Sequence, residues 1–184
     1  MTLRKLFKLL LILPFIIIYT AHGQSVVHEK VDALNLLVGD WNVEQFTYGA
    51  NGEWQKTSTS KMNMVSGLSG VMISGESRDM MPKGAMDLEL TLTYDQFRET
   101  YRMSVIDSLY GLMDIYEGDM NSDDHLVLTN IKSDTHFPYE NDIMHFRFTF
   151  NDDEADKITF SIEQTSTRGE TWAPMLNYVM SQIQ

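Results

Sequence analysis

Between Met86 and Tyr94 the chain alternates without a break. Met86, Leu88, Leu90, Leu92 and Tyr94 are apolar or aromatic, and Asp87, Glu89, Thr91 and Thr93 stand between them. Side chains that repeat every second residue lie on one face of a β-strand, so this stretch has a dry face and a wet one. The same period returns in Tyr101, Met103 and Val105, in Met144, Phe146, Phe148 and Phe150 against His145, Arg147 and Thr149, and in Ile158, Phe160 and Ile162. Further strands are expected over Trp41 to Tyr48, Trp54 to Val65, Val71 to Arg78, Tyr110 to Ile115, His125 to Ile131 and Trp172 to Met180. Turn signals separate them: Ala50-Asn51-Gly52, Met81-Pro82-Lys83-Gly84, Asp107-Ser108, Asn121-Ser122-Asp123-Asp124, Asn151-Asp152-Asp153-Glu154 and Arg168-Gly169. About ten short antiparallel strands in sequence order, each with one apolar face, close most simply into an up-and-down barrel, which leaves no exposed edge. The fold class is therefore all-β.

Ahead of the strands, Val27, Val31, Leu34 and Leu37 have helical spacing, and Gly39 stops the pattern just before Trp41. We expect a short helix covering one end of the barrel, with Trp41 plugging that end. Earlier still, Arg4, Lys5 and Lys8 precede an apolar run from Leu9 to Tyr19, and Ala21-His22-Gly23 places small residues before a cut at Gln24. That is the pattern of a secretory signal peptide over residues 1–23, leaving 24–184 as a single domain. The run is about half the ~20 residues of a spanning helix and contains Pro14, so no stable membrane insertion is expected after cleavage. A periplasmic or secreted location follows from this reading.

Charge and cysteine content narrow the chemistry. The formal net charge is -12, and the leader carries only positive charges, so its removal makes the domain more acidic. Such a surface repels phosphate backbones, and nucleic acid is not an expected partner. With no cysteine, the fold has neither disulfides nor thiolate metal sites and must stand on its hydrophobic core.

The helix followed by Gly39-x-Trp41 at the first strand resembles the opening of lipocalin-like barrels, the calycin group. Over nearly its full mature length the chain is similar to the bacterial family named domain of unknown function fifteen-seventy-nine. The residues that carry the likeness are Leu37-Val38-Gly39-Asp40-Trp41, Leu92-Thr93-Tyr94-Asp95 with Tyr101, Asp114-Ile115-Tyr116-Glu117-Gly118, Phe146-Arg147-Phe148 and Gly169-Glu170-Thr171-Trp172. The resemblance implies a calycin-type barrel and brings no established activity. Lipocalin-like barrels usually set a basic side chain of the last strand on the tryptophan, but no Lys or Arg follows Arg168. The related haem-binding nitrobindins have more glycines behind the tryptophan than Asn42-Val43-Glu44-Gln45 offers, which speaks against haem.

A barrel of this size can enclose a cavity lined by alternate side chains. The candidate ligand-binding wall is Met86, Leu88, Leu90, Tyr101, Met103, Tyr110, Leu112, Phe146, Phe148 and Phe160. The expected function is binding of a small hydrophobic ligand in that interior without catalysis. Two other readings use the same residues: an enzyme doing acid–base work on a hydrophobic substrate, or a structural or interaction protein with a filled core. No catalytic residue, metal site or cofactor is expected: the chain has no Gly-x-Ser-x-Gly elbow, phosphate loop or His-Glu-x-x-His, and Asp87 and Glu89 lie opposite the apolar face of their strand. His145 shares the Arg147 face, opposite the phenylalanines, and is expected to point to water.

Overall fold

The computed structural model describes residues 26–78, 86–139, 142–152 and 157–183. The leader assigned to residues 1–23 and the Met81-Pro82-Lys83-Gly84 turn lie outside the described residues. Residues 26–32 are helical, and a 3-10 turn, Asn35–Leu37, follows. The strands are then β1 (Gly39–Tyr48), β2 (Trp54–Gly67), β3 (Met72–Arg78), β4 (Leu88–Asp95), β5 (Thr100–Asp107), β6 (Met113–Met120), β7 (Leu126–Thr129), β8 (Phe137–Tyr139), β9 (Asp142–Asn151), β10 (Lys157–Thr165) and β11 (Ala173–Gln182).

Ten of these strands form a closed antiparallel barrel, and β8 lies outside it. Each strand from β1 to β6 pairs with the next, β9 joins β7 to β10, β10 pairs with β11, and β11 returns to β1. The up-and-down order expected from the alternation is thus the order found. The stretch between β7 and β9, where no strand was expected, contains β8, which pairs with the first residues of β9. A proline is tolerated there because one side of so short an outer strand needs no ladder donor. The strand expected to begin at Tyr110 begins at Met113, since Tyr110 and Leu112 belong to the hairpin that the Asp107 amide closes on the Leu112 carbonyl at 3.2 Å.

Hydrophobic burial concentrates toward the helix end. Val31, Leu34 and Leu37 pack onto the core formed by Trp41, Ile73, Leu92, Met103, Leu126, Ile158 and Met180. Two aromatic polar groups fasten the helix to the strands: the Trp41 indole N–H donates to the Leu37 carbonyl at 2.9 Å, and the Tyr101 hydroxyl donates to the Lys30 carbonyl at 3.1 Å. Buried aromatic N–H and O–H groups need such acceptors, and the helix supplies them as free carbonyls. Gly39 enters β1 at φ 148°, a backbone that favours glycine, and a Cβ there would stand 3.2 Å from the Gln182 side chain. Gln182 is also the register partner of Trp41, so a glutamine of the closing strand occupies the place where a basic residue is usual.

The middle of the barrel is filled by rings. Phe160 stacks on Phe150 at 4.6 Å, on Phe148 at 5.2 Å and on Tyr178 at 5.3 Å, and Tyr116 meets Phe148 edge-on at 4.3 Å. Beside them β6 and β7 approach so closely that a Cβ on Gly118 would lie 1.9 Å from the Val127 carbonyl oxygen. Backbone cannot yield as a flexible side chain does, so glycine is required at this position.

Replacing Trp41 by Ala should cost roughly 3–5 kcal/mol, from the cavity left and the unmade bond to Leu37. Trp41→Phe should recover most of the packing but not the hydrogen bond and fall between the two in a thermal melt. An unchanged melting temperature in Trp41→Ala would show that the ring does not hold the barrel end. Gly118→Ala should fail to give a folded barrel by circular dichroism, because its methyl group meets main chain.

Candidate functional site

The end of the barrel away from the helix is built differently. Here the inward positions alternate in polarity as well as in side: Gln45, Ser77, Asp114, Asn130 and Gln164 share the lumen face with Leu88, Val105, Phe146 and Leu176. At this end Leu88, Val105, Asp114, Phe146, Gln164 and Leu176 are half-buried, whereas Gln45, Ser77 and Asn130 beside them are buried, as are Leu90, Met103, Tyr116, Phe148, Ile162 and Tyr178, each two residues deeper on the strands of the first six. Among the described residues the lumen is thus covered by the helix at one end, filled by rings in the middle, and rimmed at the other by half-buried side chains, here called the cup. Apolar side chains stand exposed on the hairpins around the cup, with the Tyr48 and Trp54 rings edge to face at 5.0 Å and Leu109 and Met113 beyond β5.

The polar groups of the cup are tied to one another. Ser58 donates to the Gln45 amide oxygen at 2.9 Å, and Ser77 donates to the Lys61 carbonyl at 2.9 Å. The Asp114 carboxylate accepts the Tyr116 hydroxyl at 2.9 Å and interacts with the Asn130 side chain. Asn130 is 0% exposed; its amide nitrogen donates to the Thr135 carbonyl at 2.6 Å, and its amide oxygen accepts the Phe146 N–H at 2.8 Å. Burial pushes the Asp114 carboxyl above the ordinary carboxylate range. The nearby Asp107 charge adds to the rise, and the Tyr116 and Asn130 hydrogen bonds and His136 oppose it. Burial, followed by the Asp114 charge, likewise pushes the Tyr116 phenol far up, so it serves as a hydrogen-bond donor.

The ten residues expected to line a cavity divide into three groups. Leu90, Tyr101, Met103, Phe148 and Phe160 are buried in the filled part of the core. Met86, Leu88 and Phe146 are partly buried at its margin, with Leu88 and Phe146 in the cup wall; Leu112 lies in the β5–β6 hairpin. Tyr110 is 68% exposed at that hairpin and contacts the Phe137 ring at 6.0 Å. The polar floor of Asp114, Tyr116 and Asn130 is absent from the expected wall. The signals for it were parity and register: Asp114 and Tyr116 share the period-two face of Leu112, and they sit opposite Val105 and Met103, two positions already assigned to the interior.

His145 corrects another expectation. It does lie on the Arg147 face of β9, but it is 1% exposed rather than solvated. The loop of residues 130–136 brings His136 to a ring distance of 6.0 Å, and the register partner Thr165 is buried with it. Burial pushes its imidazole below the ordinary histidine value, helped by Arg168 and His136. Among the described residues no group of three His, Asp or Glu side chains is arranged to hold a metal ion.

A closed antiparallel meander with a helix across one end and a Gly-x-Trp entry is a lipocalin-like, calycin-type barrel. The chain belongs to the family described as protein of unknown function DUF1579, whose model matches residues 28–182. No curated protein matches it.

Replacing Asp114 by Asn tests the electrostatics of the cup. A carboxyl whose folded-state value is raised favours the folded state while protonated, and that advantage is lost as pH rises from the unfolded value, about 3.9, through the folded one. Asn keeps an acceptor for Tyr116 and cannot ionise. Asp114→Asn should therefore melt above the wild type at pH 7, with the gap closing toward pH 4. A variant less stable than wild type at pH 7 would mean that the charged hydrogen bonds outweigh burial.

Proposed function

We propose that this protein binds one small, mainly apolar molecule in the cup at the open end of the barrel, does no chemistry on it, and works outside the cytoplasm. The observation that carries the reading is the exposure gradient along the lumen: six inward positions on six strands are half-buried at the open end, and their neighbours two residues deeper are all buried. A wall of Leu88, Val105, Phe146 and Leu176 around the Asp114–Tyr116–Asn130 floor combines apolar lining with a few placed polar groups, the usual composition of a small-molecule site. The stacked phenylalanines beneath set the depth: a ligand rests on them and does not run the length of the barrel. The extracytoplasmic setting rests on the charge and spacing pattern of residues 1–23.

Native mass spectrometry of protein purified from its own cell envelope should show an adduct of lipid or metabolite size. Val105→Phe, which fills the cup from a half-buried position, should lose the adduct while keeping the wild-type circular dichroism spectrum. An empty mass in the wild type would favour the filled-core reading, in which the barrel is a structural or interaction module. A second reading, acid–base catalysis in the same cup, draws on the raised carboxyl of Asp114 beside Tyr116. Its mark would be a substrate that Asp114→Asn still binds and no longer turns over.

A further inference from the structure

The barrel wall has a seam. Between β6 and β9 the ladder is interrupted: β7 stops at Thr129, residues 130–136 leave as a loop, and only then does β8 pair with the first residues of β9. One main-chain bond, from the Asn130 N–H to the Phe146 carbonyl at 3.4 Å, crosses this gap, and side chains make the other contacts. The Ile115 N–H donates to the Thr135 hydroxyl at 3.0 Å, the Thr135 hydroxyl donates to the Ile115 carbonyl at 3.0 Å, and Ser133 reaches the same carbonyl. On the other side the Phe146 N–H is held by the Asn130 amide oxygen at 2.8 Å. The loop thus joins β6 to β9, and through Asn130 it also touches Asp114 in the cup.

Enclosed by this loop is His145. Neither of its ring nitrogens has a partner at hydrogen-bonding geometry, although the backbone of Asn130 interacts with the ring. The charged and titratable groups around it come from three directions. The loop contributes His136 and Asp134, the β10–β11 hairpin contributes Arg168, and β9 itself contributes Arg147 two residues away. Arg147 is paired with Glu163 on β10 and lies 4.5 Å over the Trp172 ring. Asp134 is shared between His136, 3.6 Å away, and Arg168, 3.5 Å away. A proton on His145 would add positive charge beside Arg168 and His136, in a space with no unshared carboxylate to receive it. The neutral ring fits the closed loop and the charged ring does not.

We propose that residues 130–136 form an acid-released latch on the barrel wall: protonation of His145 frees the loop from β6 and β9 and opens the wall beside Asp114. Once the loop is away, His145 meets solvent and titrates as an ordinary histidine near 6.5. Closure is then favoured fully above about pH 6.5, and the opening constant rises by up to tenfold per pH unit below it, until the closed form is itself protonated. The opening lies at the mouth and leaves the helix end, with Trp41 and Tyr101, in place. The inference does not depend on what the cup holds.

Amide hydrogen exchange of the full chain by NMR tests this, with each rate divided by its intrinsic rate at the same pH. Between pH 7.0 and 5.5 the protection of the Ile115 and Phe146 amides should fall by about fivefold or more, while that of Val43 in β1 stays constant. In His145→Gln, a neutral side chain of similar reach, the two seam amides should lose this pH dependence. Unchanged protection in the wild type, or an equal fall in His145→Gln, would overturn the latch. Should that variant not fold, the wild-type imidazole shifts decide the matter. His145 must titrate below the ordinary histidine value of about 6.5, together with the loss of protection, and a midpoint at or above that value would overturn the proposal.

Discussion

The barrel depends on β10 pairing on both sides at once, with β9 through Phe160 opposite Phe150 and with β11 through Phe160 opposite Tyr178. A meander of ten strands without that second ladder has two open edges, and each edge exposes a row of unpaired N–H and C=O groups. Closure satisfies both rows with each other. It also fixes an inside, since alternate residues of every strand must then converge on one axis. Phe148, Phe150, Phe160 and Tyr178 come from three strands and stack because the register brings them to one level of that axis. A slip of one residue in any ladder would turn those rings outward, so the ring stack and the closure secure each other.

The two ends of this inside solve the same problem by different means. Toward the helix the lumen tapers onto apolar side chains, and the few polar tips, the Trp41 indole and the Tyr101 hydroxyl, meet main-chain carbonyls that the helix has to spare. Toward the hairpins none of the described elements covers the lumen, and the inward positions carry Gln45, Ser77, Asp114 and Asn130, each bonded to a neighbour rather than left bare. Gln45, Ser77 and Asn130 are buried, and their hydrogen bonds offset the cost of taking polar groups out of water.

How much of this could be read from the chain follows from what alternation reports. In β4, β5, β9 and β10 the apolar residues keep strict period two, and there both face and partner were legible. In β6 they do not: Met113 and Ile115 make one apolar face, Leu112 shares the other with Asp114 and Tyr116, and the register with β5 turns that second face inward. With apolar residues on both faces the local pattern did not single out the inner one, and with it went the polar floor of the cup. His145 shows the complementary limit. Alternation named its face correctly, but a face is wet only if nothing lies on it, and the loop of residues 130–136 that lies on it has no strand period to announce its path.

That loop also determines where the structure gives first. Ladder bonds in β1, β2, β10 and β11 come from main chain held on both sides, and breaking one loosens its neighbours, so they open together or not at all. At the seam one main-chain bond, from the Asn130 N–H to the Phe146 carbonyl, stands beside bonds through hydroxyls and one side-chain amide, each on its own rotor, and the Asn130 side chain carries three roles at once: acceptor for Phe146, donor to Thr135 and neighbour of Asp114. Losing that single residue's contacts would separate β6 from β9 locally without unpairing β9 from β10. A barrel sewn by backbone ladders over most of its circumference and mainly by side chains at one point yields first at that point, and here the point lies beside Asp114, a carboxyl that burial holds partly against its charge.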